Sequence, residues 1–212
     1  TSFIGDFRSI STEPCGQAVQ PGTGAMLDPT YLRATPDEIE RAMALAAAAF
    51  PVYSTLPGKT RAEFLRAIAK EMEAVVEDIV VRGELETALT EARLRSEAMR
   101  TVSHLRMFAS LLDDGSWVGA RIDRADPERQ PLPKVDLRSM LRPLGPVAIF
   151  CAANFPLAYS VAGGDTASAL AAGCPVIVIA HDSHPGVAEI VATAVNRAAR
   201  LTDMPEGVFS ML

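Results

Sequence analysis

Three strand-length apolar runs dominate the last third of the chain: Val147–Phe150, Pro175–Ala180 and Val208–Leu212. Between them lie two stretches of helical character, roughly Pro156–Ala172 and Pro185–Leu201. Unbroken apolar runs alternating with helices are the pattern of a parallel sheet covered on both faces, and the crossovers of such a sheet are right-handed. The segment Leu144-Gly145-Pro146-Val147-Ala148-Ile149-Phe150-Cys151-Ala152-Ala153-Asn154-Phe155-Pro156 carries the first run into a short loop. The loop puts Asn154 at the carboxyl edge of the sheet, where open α/β folds bind ligands. An amide N–H there can donate to a developing oxyanion. On the residues alone, Asn154 as N-cap of a Pro-started helix is the plainer reading.

The half that precedes this unit reads as mostly helical. Residues 1–34 are rich in Gly, Pro, Ser and Thr and look like an arm with short strands around Pro21-Gly22-Thr23-Gly24. Thr35-Pro36-Asp37-Glu38 combines a capping box with Pro at the first helical position, starting a helix that runs to about Phe50, with Pro51 helping to end it. Thr60-Arg61-Ala62-Glu63 repeats the capping pattern. Phe64, Leu65, Ile68, Met72, Val75, Val76, Ile79 and Val80 follow at helical spacing. A further helix is expected over Glu91–Leu112, with Leu94, Met99, Val102, Leu105, Phe108 and Leu112 as its apolar stripe. From Asp113-Asp114-Gly115 the chain turns charged and Pro-rich. Val118–Arg124 and Val135–Arg142 predict a long hairpin, whose unpaired edges call for a partner. Gly22-x-Gly24 has no third Gly and no preceding strand, so it is not a dinucleotide fingerprint. Gly163-Gly164, inside the expected helix, suggests close packing on the sheet.

The chain has 212 residues, 49% of them apolar, a formal charge of −6 and a pI near 5.1. That balance argues against nucleic acid or an anionic membrane as the main partner. No apolar run reaches the roughly 18 residues of a spanning helix, and the Ala-rich Ala42–Phe50 is a helix face. Arginines are interleaved with acids and read as solvated faces. Cys15, Cys151 and Cys174 are scattered and show no metal spacing, which suits reduced thiols in a cytoplasmic protein. His181 and His184 lack a further ligand, so no metal site is expected; they read as a helix entry. His104 reads as a surface or packing residue.

The segment Gly145–Gly186 resembles the aldehyde dehydrogenase superfamily: a strand, a loop ending Asn154-Phe155-Pro156-Leu157, a helix, then Gly173-Cys174-Pro175-Val176-Ile177-Val178-Ile179. The wording Ser160-Val161-Ala162-Gly163-Gly164-Asp165-Thr166-Ala167-Ser168-Ala169-Leu170-Ala171-Ala172-Gly173 is similar to a bacterial subgroup that oxidises 2,5-dioxopentanoate (α-ketoglutarate semialdehyde). Arg129-Gln130-Pro131-Leu132-Pro133, Arg142-Pro143-Leu144-Gly145-Pro146 and Pro205-Glu206-Gly207-Val208-Phe209 fit the same subgroup. The resemblance implies cysteine attack on an aldehyde, hydride transfer to NAD or NADP, and thioester hydrolysis. It implies Asn154 as oxyanion donor. It implies that Phe150, Cys151 and Ala153 line the nicotinamide half of the cofactor, with Ala153 in place of a common Trp. Ile179 stands where the family normally carries a Lys for the adenosine ribose or its 2′-phosphate. Asp182 stands where an acidic or small residue reaches the ribose. An acid there favours NAD, whereas the subgroup leans towards NADP. As a nucleophile Cys151 is disfavoured, since it precedes the oxyanion donor by only three residues.

These readings predict an α/β chain: a Rossmann-like parallel-sheet cofactor domain, a helical N-terminal arm, and an oligomerisation hairpin at 115–142. Residues 1–212 read as the N-terminal, cofactor-binding part of an aldehyde dehydrogenase fold. The domain with the nucleophilic Cys is expected downstream, so the chain alone should not turn over an aldehyde. The expected partners are a small aldehyde and further copies of the same chain. The alternatives are a truncated or degenerate chain that serves as a non-catalytic interaction partner, and the acyl-phosphate reductase branch of the same fold.

Overall fold

The structure is a computed structural model that describes residues 1–212. An N-terminal ribbon supplies β1 (Phe3–Ile4), β2 (Phe7–Arg8), β3 (Pro14–Val19) and β4 (Met26–Leu32). Four helices follow: α1 (Pro36–Tyr53), α2 (Gly58–Ala74), α3 (Val76–Thr87) and α4 (Glu91–Asp114). The short strands β5 (Arg121–Asp123) and β6 (Leu137–Ser139) precede β7 (Val147–Phe150), α5 (Gly164–Ala172), β8 (Val176–Ile179), α6 (Pro185–Leu201) and β9 (Phe209–Met211).

The main sheet has the order β2-β1-β9-β8-β7. Strands β7, β8 and β9 are parallel, as their apolar runs and intervening helices require. The N-terminal β1 then pairs antiparallel with β9, Phe3 opposite Met211. The sheet is therefore mixed, a feature the two-residue β1 is too short to announce. Helix α1 covers one face, where Ala42, Ala46, Ile4 and Ile177 are buried together. Helices α5 and α6 cover the other, and α2 packs across both of them and against α4. The largest core cluster joins Phe64, Leu65, Ile68, Leu105, Leu170, Val178, Val195 and Phe209, so the helical arm and the sheet unit share one interior. Strand β7 departs from the expected double coverage: it is the sheet edge, and Ala148 and Phe150 are exposed while Ile149 is buried.

The capping box at Thr35 forms as its residues dictate. Thr35 Oγ1 accepts from Glu38 N–H at 3.3 Å, and Glu38 returns the bond to Thr35 N–H at 2.9 Å. Helix α1 carries Pro51 inside its last turn and ends at Tyr53. The second capping pattern does not act as a cap. Helix α2 starts at Gly58 after Pro57, and the ladder breaks at Val75 (φ −115°), splitting one expected helix into α2 and α3. On α4 the expected stripe is partly corrected: Met99 is exposed, and the buried face runs through Leu94, Glu97, Ala98, Thr101, Val102, Leu105, Ala109 and Leu112.

Two glutamates stand on those buried faces. Glu86 Oε1 and Oε2 accept from Gly186 N–H and Val187 N–H at 2.8 and 3.0 Å, holding the first turn of α6. Glu97 Oε1 accepts from Leu157 N–H and Ala158 N–H, both at 2.9 Å. Each carboxylate is paired with the arginine one turn earlier, Arg82 at 2.8 Å and Arg93 at 3.0 Å. Arg82 also donates to the Tyr31 hydroxyl and the Asp28 carbonyl, tying the β3–β4 ribbon to α3. Burial, chiefly, pushes the Tyr31 phenol up to about 12. The far end of α5 is held similarly: Tyr53 Oη donates to Leu170 O at 2.9 Å and Arg61 to Ala172 O at 3.3 Å.

Removing either buried carboxylate orphans two N–H groups and unpairs an arginine. Glu86→Ala and Glu97→Ala are each expected to cost about 2–4 kcal/mol, measured by urea unfolding. The exposed Glu91→Ala should cost far less. Equal losses for all three variants would show that the buried anchors carry no special share of the stability.

Candidate functional site at the carboxyl edge of the sheet

Strands β7 and β8 end side by side, with Phe150 opposite Ile179 and Cys151 N–H donating to Ile179 O at 3.0 Å. Side chains alternate faces along a strand. Phe150 and Ile179 therefore leave the face that Ile177 shares with α1, and Cys151 leaves the opposite one. Phe150 is 77% exposed, Ile179 is half-buried, and Cys151 is buried in the main core. Burial pushes the Cys151 thiol up, beside Ser160. The structure thus separates Cys151 from the open edge where Phe150, Ala153, Asn154, Ile179 and Asp182 lie.

The loop after β7 is tied at several points. Ala152 N–H donates to Tyr159 O at 2.9 Å. Ala152 O faces His184 Nε2 at 3.0 Å, so that nitrogen carries the proton. Glu97 holds Leu157 and Ala158 just beyond. Residues 156–163 are turns and bends, and α5 begins at Gly164 with Gly163 as its N-cap. The expected helix over Pro156–Ala172 is shortened to its last part, because the residues before Gly164 close tight turns instead: Gly163 N–H donates to Ser160 O at 2.9 Å and Gly164 N–H to Ala158 O at 3.0 Å. A Cβ on Gly163 would lie 2.4 Å from Ala158 O, so this turn admits only glycine. Asn154 and Ala153 are exposed within the loop. With no helix starting at Pro156, Asn154 is not the N-cap that the residues alone suggested.

On the β8 side, Ala180, His181 and Asp182 lead to α6, whose N-cap is His184 with Pro185 in its first turn. The His181 and His184 rings stack at 5.7 Å. His184 is fully buried, its Nδ1 has no partner, and burial holds its pKa below the usual histidine value. Helix N-termini often bind phosphates, but the Gly186 and Val187 N–H groups of α6 are already taken by Glu86. At the ends of the two strands lie the small Ala152, Ala153 and Ala180, the exposed Phe150 ring, the half-buried Ile179 and the exposed Asp182 carboxylate, which can accept from hydroxyl groups.

Two anchors escaped the sequence reading, Glu86 and Glu97; His184, expected at a helix entry, is the N-cap of α6. The signal was present, since Glu97 falls three residues after Leu94 on an apolar stripe, where an unpaired acid would be unfavourable.

A sequence model of the aldehyde dehydrogenase family matches residues 10–212, and the chain belongs to that family. It is 50% identical over 197 residues to alpha-ketoglutaric semialdehyde dehydrogenase 2 of Azospirillum brasilense, covering 92% of this chain and 38% of that protein. It is 46% identical over 210 residues to the alpha-ketoglutaric semialdehyde dehydrogenase of Acinetobacter baylyi, covering 99% and 40%. The chain thus spans about two fifths of the length of these curated relatives. Among solved structures, proline utilization A from Bdellovibrio bacteriovorus superposes with a TM-score of 0.83 at 20% identity, over all of this chain and 20% of that one. Aldehyde dehydrogenase 21 from Physcomitrella patens superposes at 0.82 and 22%, over 99% and 42%. These likenesses establish the fold. No helix is long and apolar enough to cross a membrane.

The lowered pKa of His184 has a direction that can be measured. The folded state binds this proton less readily than the unfolded state, so stability falls as pH drops through the ordinary histidine value, about 6.5, towards the depressed folded one. His184→Gln keeps a donor for Ala152 O and cannot titrate. Between about pH 7.5 and about pH 5.5 the parent should lose more stability in urea unfolding than the variant. Parallel losses would show that His184 does not resist protonation.

Proposed function

We propose that the complete polypeptide oxidises an aldehyde to a carboxylate with NAD or NADP, and that its substrate is a dicarboxylic semialdehyde such as 2,5-dioxopentanoate, giving 2-oxoglutarate. The observation that carries the reading is Asn154: an exposed amide in a loop whose backbone is fixed on both sides of it, at the edge where β7 and β8 end. Membership of the family and the names of the two relatives near 50% identity support the substrate class.

In this reading the Asn154 side-chain N–H donates to the oxygen that becomes anionic when a thiolate adds to the aldehyde carbon. The anchored loop keeps that donor in place without reorganisation during reaction. The thiolate comes from outside residues 1–212: Cys151 and Cys174 are buried, and Cys15 lies on the β3–β4 ribbon. A bound nicotinamide supplies the hydride acceptor. Phe150, Ala153, Ile179 and Asp182 are the residues assigned to hold the dinucleotide, with Asp182 accepting from a ribose hydroxyl. Residues 1–212 form the cofactor-binding part of a cytoplasmic enzyme. The hairpin at 115–142 joins copies of the chain, supported by its open strand edges and the exposed Ile122 and Leu137.

Asn154→Ala in the complete polypeptide should lower kcat by about 10²–10³ with the melting temperature nearly unchanged, because the side chain caps no helix. Asn154→Asp should be at least as damaging, since a carboxylate repels the oxyanion. Near-parental turnover in the Asp variant would remove Asn154 from the catalytic role.

Ile179→Lys tests the cofactor edge. An ammonium at this half-buried position adds a charge-assisted hydrogen bond to the adenosine side, and dinucleotide affinity by calorimetry should rise about tenfold or more. Unchanged affinity for both NAD and NADP would show that position 179 does not face the cofactor.

A further inference from the structure

Helix α4 runs alongside the loop that carries Asn154 and touches it once per turn. The Arg93 guanidinium lies 4.7 Å from the centre of the Phe155 ring. Glu97 holds Leu157 and Ala158. Arg100 lies 5.5 Å from the centre of the Tyr159 ring and donates to its hydroxyl at 3.1 Å. A Cβ on Gly164 would lie 3.7 Å from His104 Nδ1. Residues 93, 97, 100 and 104 share one helix face by their spacing, and they meet positions 155, 157–158, 159 and 164 in order.

The charges on this ladder do not cancel. Glu97 is used up by Arg93 and two backbone N–H groups. Arg100 is exposed and pairs with no carboxylate; its only side-chain partner is the neutral Tyr159. Asp165, the acid in the first turn of α5, lines the groove beside β7 instead. Phe155 and Tyr159 meet edge to face at 5.2 Å and form an aromatic wall that follows Asn154 in the chain and carries the Arg100 guanidinium at its Tyr159 end. The backbone bond from Ala152 to Tyr159 closes the loop, so the wall and Asn154 belong to one small unit.

We infer that Arg100, steadied by Tyr159, is a specificity residue that binds the distal carboxylate of the aldehyde substrate while the aldehyde end lies at Asn154. The inference rests on the aldehyde-oxidation reading above and adds to it a reason for preferring semialdehydes of dicarboxylic acids. An aliphatic chain between the two ends passes along the Phe155–Tyr159 wall, which offers it apolar surface. A guanidinium fork matches a carboxylate in two parallel hydrogen bonds, which an ammonium cannot reproduce.

The test uses the complete polypeptide and two aldehydes of equal chain length, one ending in a carboxylate and one uncharged. The readout is the ratio of their kcat/KM values, followed through nicotinamide reduction. Arg100→Met should lower that ratio by about 10- to 100-fold, chiefly through KM for the charged substrate. Arg100→Lys should recover part of it, and Tyr159→Phe should give a smaller fall than Arg100→Met. An unchanged ratio in Arg100→Met, with the parent oxidising both aldehydes, overturns the role of Arg100 and leaves aldehyde oxidation standing. A parent that oxidises neither aldehyde overturns the aldehyde reading and this inference with it.

Discussion

Glu97 is the residue on which the geometry of this site depends. Its carboxylate is buried against two adjacent backbone N–H groups, Leu157 and Ala158, and is neutralised by Arg93. A buried carboxylate is tolerable only when so satisfied. That requirement works in both directions: the loop must offer N–H groups to the acid, and the acid fixes the place of the loop against α4. The backbone just beyond Asn154 is held by it. Glu86 repeats the device at the first turn of α6, where it also occupies N–H groups that would otherwise attract phosphate.

The helical arm is therefore more than a cover for the sheet. Helices α3 and α4 each send one acid into the loops at the carboxyl edge, and α1 and α2 send Tyr53 and Arg61 to the opposite end of α5. Both ends of the strand-to-helix connections are held from outside the sheet unit. The interior is continuous between the two layers, and the core cluster shows no division at which the arm could detach.

Much of this was readable from residue patterns. The three apolar runs marked β7, β8 and β9 because short continuous runs with helices between them have few other solutions. The capping box at Thr35 was legible because its bonds are local. The hairpin followed from its turn residues. What stayed hidden depended on partners distant in the chain. Strand β1 is two residues long and is defined by β9. The start of α5 follows tight turns through Gly163 that carry no periodic signal. Met99 was assigned to the buried stripe and is exposed, while Glu97 was assigned to none and is buried. Of the candidate site residues, Phe150, Ala153, Asn154, Ile179 and Asp182 lie at or just beyond the ends of β7 and β8. The Cys151 side chain is turned into the core by strand alternation.

The pairing of β1 with β9 has a consequence for how the molecule is made. Phe3 finds its partner in Met211, almost the full length of the chain away. During synthesis the first strand leaves the ribosome long before the strand it needs exists. Contacts so distant in sequence are slow to form, since the loop must close before any energy is recovered. Until then Phe3 and Ile4, both buried in the finished sheet, are free to meet other surfaces. Until residues 209–211 of β9 have been made, β1 is an unsatisfied strand, and chaperones that bind short apolar segments have that interval in which to act.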